Sequence, residues 1–98
     1  MKKFKVCIKG NNFLVKIDEE VKKNGFYAAR AVEAKDTTKA VNVAMDSIRA
    51  ELKKDVLNDE SDPPIMCLEE LYQVYSLENN MEVGEKQYPT KGFVWHEE

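Results

Sequence analysis

A single histidine, His96, and two cysteines, Cys7 and Cys67, are the only imidazole and thiol groups in this chain. A Ser–His or Cys–His hydrolase would have to be built on that one imidazole, which has no serine or cysteine beside it. His96 therefore reads as a surface or sheet-edge residue. The two cysteines have no CxxC spacing and no second pair, so they make neither a disulfide framework nor a zinc site. They read as small reduced side chains in strands, with a single Cys7–Cys67 bridge as the alternative. Glycine (four) and proline (three) are scarce. The isolated glycines sit at turn-like positions and form no GxGxxG or P-loop pattern, so no cofactor is expected. Long apolar runs are missing too. Nothing approaches the ~20 residues of a membrane-spanning helix, and Phe4-Lys5-Val6-Cys7-Ile8-Lys9 alternates where a signal peptide would run apolar. The expectation is a cytoplasmic protein without a membrane partner.

Carboxylates are plentiful but poorly arranged for chemistry. Asp55, Asp59, Glu60 and Asp62 lack the alternating oxygen ligands, central glycine and distal glutamate of a calcium loop, and read as a solvated loop. Glu69 and Glu70 are neighbours, which on a strand point to opposite faces and cannot act as a paired acid and base. With no catalytic constellation and no metal set, the chain reads as non-enzymatic.

What is present is an ordinary globular composition, 43% hydrophobic and 34% charged over 98 residues. That is one domain, 1–98, long enough for one core without staples. Its charge is unevenly placed. Positions 1–54 hold thirteen basic and seven acidic residues, and positions 55–98 hold two and eleven, so a total of −3 conceals parts of +6 and −9. Such asymmetry points to a nucleic acid, an acidic partner or an acidic tail.

Residues 3–9 alternate, with Phe4, Val6 and Ile8 on one face and Lys3, Lys5, Cys7 and Lys9 on the other, which is the pattern of a half-buried strand. Gly10-Asn11-Asn12 supplies residues that tolerate positive φ and reads as a turn. Phe13, Val15 and Ile17 then form a second inward row, with Leu14, Lys16 and Asp18 outward. Asn24-Gly25 is a second turn signal, and Phe26–Ala34 reads as a third strand. Asp36-Thr37-Thr38 is a helix N-cap region. The Thr37–Lys54 helix it opens places Val41, Ala44, Met45, Ile48 and Leu52 on one stripe. Val43, Ala50 and Leu57 form a small apolar contact patch on its opposite side. Asn58–Pro64 is a polar loop. Residues 65–77 fit either a strand bulged near Glu69-Glu70 or a helix, and the Pro-Pro opening with Ile, Val and Tyr favours the strand. Residues 78–90 read as a surface loop, and Phe93-Val94-Trp95 as a short last strand or a docked tail.

The expected fold is α+β: an antiparallel sheet of a three-strand meander, then one helix packed on one face, then one or two further strands. An OB-like barrel has the same element order and is the alternative. The predicted core is Phe4, Val6, Ile8, Val15, Ile17, Val41, Met45, Ile48 and Leu52.

Lys3, Lys5 and Lys9, joined by Lys16, form a row of cations of the kind phosphates require. The same lysines would also keep the outer face of a sheet soluble and discourage edge pairing. Lys91-Gly92-Phe93 and Asn24-Gly25-Phe26-Tyr27 faintly echo the RNA-recognition signature, but three strands before any helix is the wrong order for that domain. The leading expectation is a protein-binding or self-associating module, dimeric or bound to another protein. A nucleic-acid-binding or antitoxin-like regulator using the lysine face is the second.

Gly25-Phe26-Tyr27-Ala28-Ala29-Arg30-Ala31-Val32-Glu33-Ala34 before a capped helix, together with Lys91-Gly92-Phe93-Val94-Trp95-His96-Glu97, resembles a group of roughly 100-residue uncharacterised bacterial proteins. That resemblance covers most of the chain and implies no activity. The run Asp36-Thr37-Thr38-Lys39-Ala40 into an amphipathic helix after a strand meander also looks like the HicB antitoxin domain. It covers about a third of the chain, and no C-terminal DNA-binding module accompanies it, so the likeness implies a fold and not a role.

Overall fold

The computed structural model describes residues 1–74 and 92–98. In chain order the elements are β1 (Lys2–Ile17), β2 (Glu20–Ala34), α1 (Thr37–Leu52), β3 (Ile65–Val74) and β4 (Val94–Glu97). The strands make one antiparallel sheet in the order β3-β1-β2-β4, with α1 packed on one face. The α+β architecture is as expected. Among the described residues the sheet is open, with β3 and β4 at its edges, and does not close into the OB-like barrel of the alternative.

The meander differs in one respect: two long strands, not three, precede the helix. The inward row changes from even positions (Phe4, Val6, Ile8) to odd ones (Phe13, Val15), all of them buried. One extra residue must absorb that change of parity. A bulge between Gly10 and Phe13 supplies it, with Asn12 at φ 60, so β1 runs straight through the expected turn. Asn24-Gly25 lies inside β2 opposite this bulge. The real hairpin turn is Asp18-Glu19, at φ 51 and 69, between the paired Ile17 and Glu20. Two consecutive positive φ values are what a two-residue hairpin turn requires.

Asp36 caps α1 by accepting a hydrogen bond from the Lys39 backbone N–H at 2.8 Å. The stripe facing the sheet is Ala40, Ala44, Ile48 and Leu52, with Val41 and Met45 half-buried beside it. The predicted stripe was thus rotated slightly toward Val41. Ala40 and Ala44 share one buried cluster with Ala28 and Ala34 of β2, and such small side chains allow a helix to pack close to a sheet.

β3 spans Ile65–Val74, and the rest of the ambiguous 65–77 segment lies outside the described residues. Its pairing with β1 shifts register between Cys7 and Ile8, so Glu69 is the extra residue between paired Leu68 and Glu70. The bulge falls where Glu69-Glu70 suggested it. At the opposite edge, β4 pairs with Asn24–Tyr27 of β2 and lays Trp95 against Phe26 and Phe13.

Candidate functional site

Lys3, Lys5 and Lys9 lie on the sheet face away from α1, as the alternation of β1 dictates. They are not equivalent there. Lys5 is only 3% exposed, and Lys3 and Lys9 are half-buried. The Lys9 ammonium lies over the Tyr27 ring, 5.9 Å from its centroid. Lys16 is exposed and faces Glu19 at 3.4 Å. Around Lys5 the same face buries Cys7 and Ala29, with Tyr27 and Tyr72 packed against them. Burial pushes the Cys7 thiol up to about 11. Cys67 is exposed on β3, and both thiols are free.

The acidic loop after α1 does not lie across these lysines; it is held at the β1 bulge. The Leu57 N–H donates to the Leu14 carbonyl (2.8 Å), and the Leu14 N–H donates to Asn58 Oδ1 (2.8 Å). Asn58 Nδ2 donates to the carbonyls of Asn12 (2.7 Å) and Asp62 (2.9 Å). Asn12 Nδ2 in turn donates to Asp62 Oδ1 at 2.8 Å, and Lys23 Nζ to Asp62 Oδ2 at 2.6 Å. Hydrogen bonding from Lys23, then from Asn12, holds the Asp62 carboxyl below its ordinary range. The second acidic stretch, 78–85, lies outside the described residues.

This staple shapes a groove of about 390 Å³ at the C-terminal end of α1. Phe13 and Leu52, almost wholly buried, form its floor. Val56, Pro64 and Met66 wall one side, and Ala50 lines the helix side, with Arg49 and Lys53 as its charged members. Of the predicted patch Val43, Ala50 and Leu57, only Ala50 lines the groove. Val43 is exposed on α1, and Leu57 is exposed beyond the helix end. No sequence pattern joined Phe13, Met66 and Pro64, because the groove depends on the return of the loop to the bulge.

On the helix side, Arg30 is buried in a second polar cluster that periodicity did not reveal. Its guanidinium takes Glu51 of α1 bidentately at 2.9 and 3.0 Å and lies over Phe93, 5.0 Å from the ring centroid. It also donates to the Gly92 carbonyl at 3.3 Å. The arrangement ties helix, sheet and last strand together, and it is fully engaged in doing so.

His96 packs against Tyr27, ring centroids 5.2 Å apart and planes tilted, with its ring over the bare Cα of Gly25 and its Nε2 buried without a hydrogen-bond partner among the described residues. Among the described residues no three His, Cys, Asp or Glu side chains are grouped to hold a metal ion, and no helix is long and apolar enough to cross a membrane.

No family model, no curated protein and no solved structure matches this chain.

Proposed function

We propose that this protein is a small non-enzymatic interaction module that binds an extended protein segment along β3. The observation that carries the reading is the state of that strand. β3 ends the sheet, its outer edge has no strand partner among the described residues, and its Ile65 and Leu68 are 54% and 45% exposed. An edge strand with exposed apolar side chains is a template for strand addition: the backbone supplies affinity and the side chains supply selectivity. The bulge at Glu69, followed by Glu70, breaks the template midway and adds negative charge. A second copy paired across that point would set carboxylate against carboxylate. The stretch Ile65–Leu68 is therefore the receptive part, and a segment carrying basic residues suits it better than β3 itself.

The test is a titration of the labelled chain with a peptide of alternating valine and lysine, followed by backbone amide shifts. Saturable shifts at 65–68, lost in Leu68→Lys, support the reading; shifts elsewhere, or none, remove it. Sedimentation over a wide concentration range decides the self-associating version, which a monomer at every concentration excludes.

A nucleic-acid role for Lys3, Lys5, Lys9 and Lys16 has less support, because Lys5 is buried and Lys16 faces Glu19. Labelled RNA and DNA at low salt, titrated against a Lys3→Glu, Lys9→Glu variant, would revive it only if binding occurs and the variant loses it.

A further inference from the structure

We infer that the groove at the C-terminal end of α1 binds a small amphiphilic organic acid, with its apolar body on Phe13, Leu52 and Met66 and its carboxylate on Lys53 and Arg49. The inference is independent of strand addition at β3.

The groove has the size and make-up of a small-molecule site. Its volume of about 390 Å³ is lined by Phe13, Ala50, Leu52, Val56, Pro64 and Met66 as well as the two cations. Concave, mostly apolar sites with a few convergent polar groups are where small ligands bind, over volumes of roughly 300–1,000 Å³. The floor is set by the core, since Phe13 and Leu52 are 4% and 3% exposed. Ala50 presents only a methyl group to the groove, and a longer side chain at that position is expected to occupy it.

Charge selects the ligand class. Arg49 in the last turn of α1 and Lys53, the C-cap residue that keeps helical φ and ψ, are four residues apart and so lie on one side of the helix end. Among the described residues no carboxylate lines the groove. Arg49 holds one exposed partner, Asp46, at 3.0 Å, which is an i,i+3 pair of the weak surface kind. Among the described residues Lys53 makes no hydrogen bond or ion pair. The C-terminal end of a helix disfavours an anion; the Leu52 carbonyl there accepts the Asp55 and Val56 N–H groups at 2.9 and 3.1 Å, and the two cations must outweigh what remains of that opposition. An apolar cation would meet two like charges at this rim, and a neutral apolar molecule would leave both unused. A compact apolar carboxylate satisfies walls and rim together.

The experiment is an NMR titration of the full chain, with methyl groups labelled, using decanoate below its micellar concentration and decyltrimethylammonium as the matched cation. Saturable shifts of the Ala50 and Met66 methyls are expected with decanoate, at an affinity at least tenfold above that of the cation. Lys53→Glu combined with Arg49→Glu should lower decanoate affinity tenfold or more while leaving the amide spectrum folded. Ala50→Leu should abolish binding by filling the groove. Equal affinity for the cation, no saturable shift, or decanoate binding unmoved by charge reversal would overturn the inference. So would groove shifts that grow with protein concentration alone, which would assign the groove to a second copy.

Discussion

The Phe26 ring lies across the bare Cα of Gly10, its partner on the neighbouring strand: a Cβ at Gly10 would fall 2.0 Å from the Phe26 ring. Phe26 is wholly buried and packs edge-on against Phe13, Phe93 and Trp95 at 5.0–5.4 Å. The glycine thus creates the space that the aromatic cluster fills. On the other face Gly25 does the same for His96, with a Cβ there 2.3 Å from the imidazole. Two glycines in adjacent strands let two rings lie flat on opposite sides of one sheet.

Gly10→Ala is therefore expected to destabilise the fold by about 3 kcal/mol, the upper end of overpacking costs. The cost should shrink in a Phe26→Leu background, where the ring no longer competes for the space. Gly92→Ala, with φ +70 and open space around it, should cost only about 1 kcal/mol from backbone strain. Urea unfolding of Gly10→Ala, Phe26→Leu, their double variant and Gly92→Ala checks the order, and additivity of Gly10→Ala with Phe26→Leu would contradict the contact.

Arg30→Met should cost about 2 kcal/mol. Its guanidinium is buried, but Glu51 is 42% exposed, so the value falls below that of a fully buried pair. Glu51→Gln should cost less than Arg30→Met, since the glutamine carbonyl can still accept from the guanidinium and Arg30 keeps the Ala29 and Gly92 carbonyls. Unfolding midpoints decide it; equal costs for the two variants would mean that the carboxylate carries the whole interaction.

One thiol should react quickly with a disulfide reagent and the other only on unfolding. Cys67 is exposed, while Cys7 is wholly buried and its thiolate is disfavoured by desolvation, with a pKa near 11. Stopped reaction under native conditions, followed by mass mapping, should place one label on Cys67. Rapid labelling of Cys7 would mean that the sheet face carrying Ala29 and Tyr72 opens readily.

The alternation of β1 and the cap and stripe of α1 were legible because they are local and periodic. The two turn signals misled for a physical reason. Gly10-Asn11-Asn12 and Asn24-Gly25 carry residues that suit positive φ or the absence of a side chain, and a bulge or a ring-bearing glycine needs the same residues as a turn. What separates the cases lies on the partner strand: Phe26 for Gly10, and His96 for Gly25. The actual turn, Asp18-Glu19, has neither asparagine nor glycine to announce it. The groove was illegible for a related reason. Ala50 alone marked it, while Phe13, Pro64 and Met66 reach it only once Asn58 and Asp62 bind the bulge.

That staple should give the stability of the protein a specific acid dependence. The Asp62 carboxyl is held below its ordinary range by Lys23 and Asn12. A carboxyl depressed in the fold contributes stability above its unfolded value of about 4, and loses that contribution as pH falls through the folded value. Asp62→Asn should therefore be less stable than the parent at pH 7, with the difference vanishing at a pH below the folded value. Salt separates the two partners: the exposed Lys23 pair is screened, while the neutral Asn12 hydrogen bond is not. In Lys23→Met the residual effect of Asp62→Asn should be insensitive to salt. Urea midpoints of the four proteins at pH 7 and pH 3, in low and high salt, test this. A deficit of Asp62→Asn that persists undiminished at pH 3 would show that the carboxylate charge is not what closes the loop.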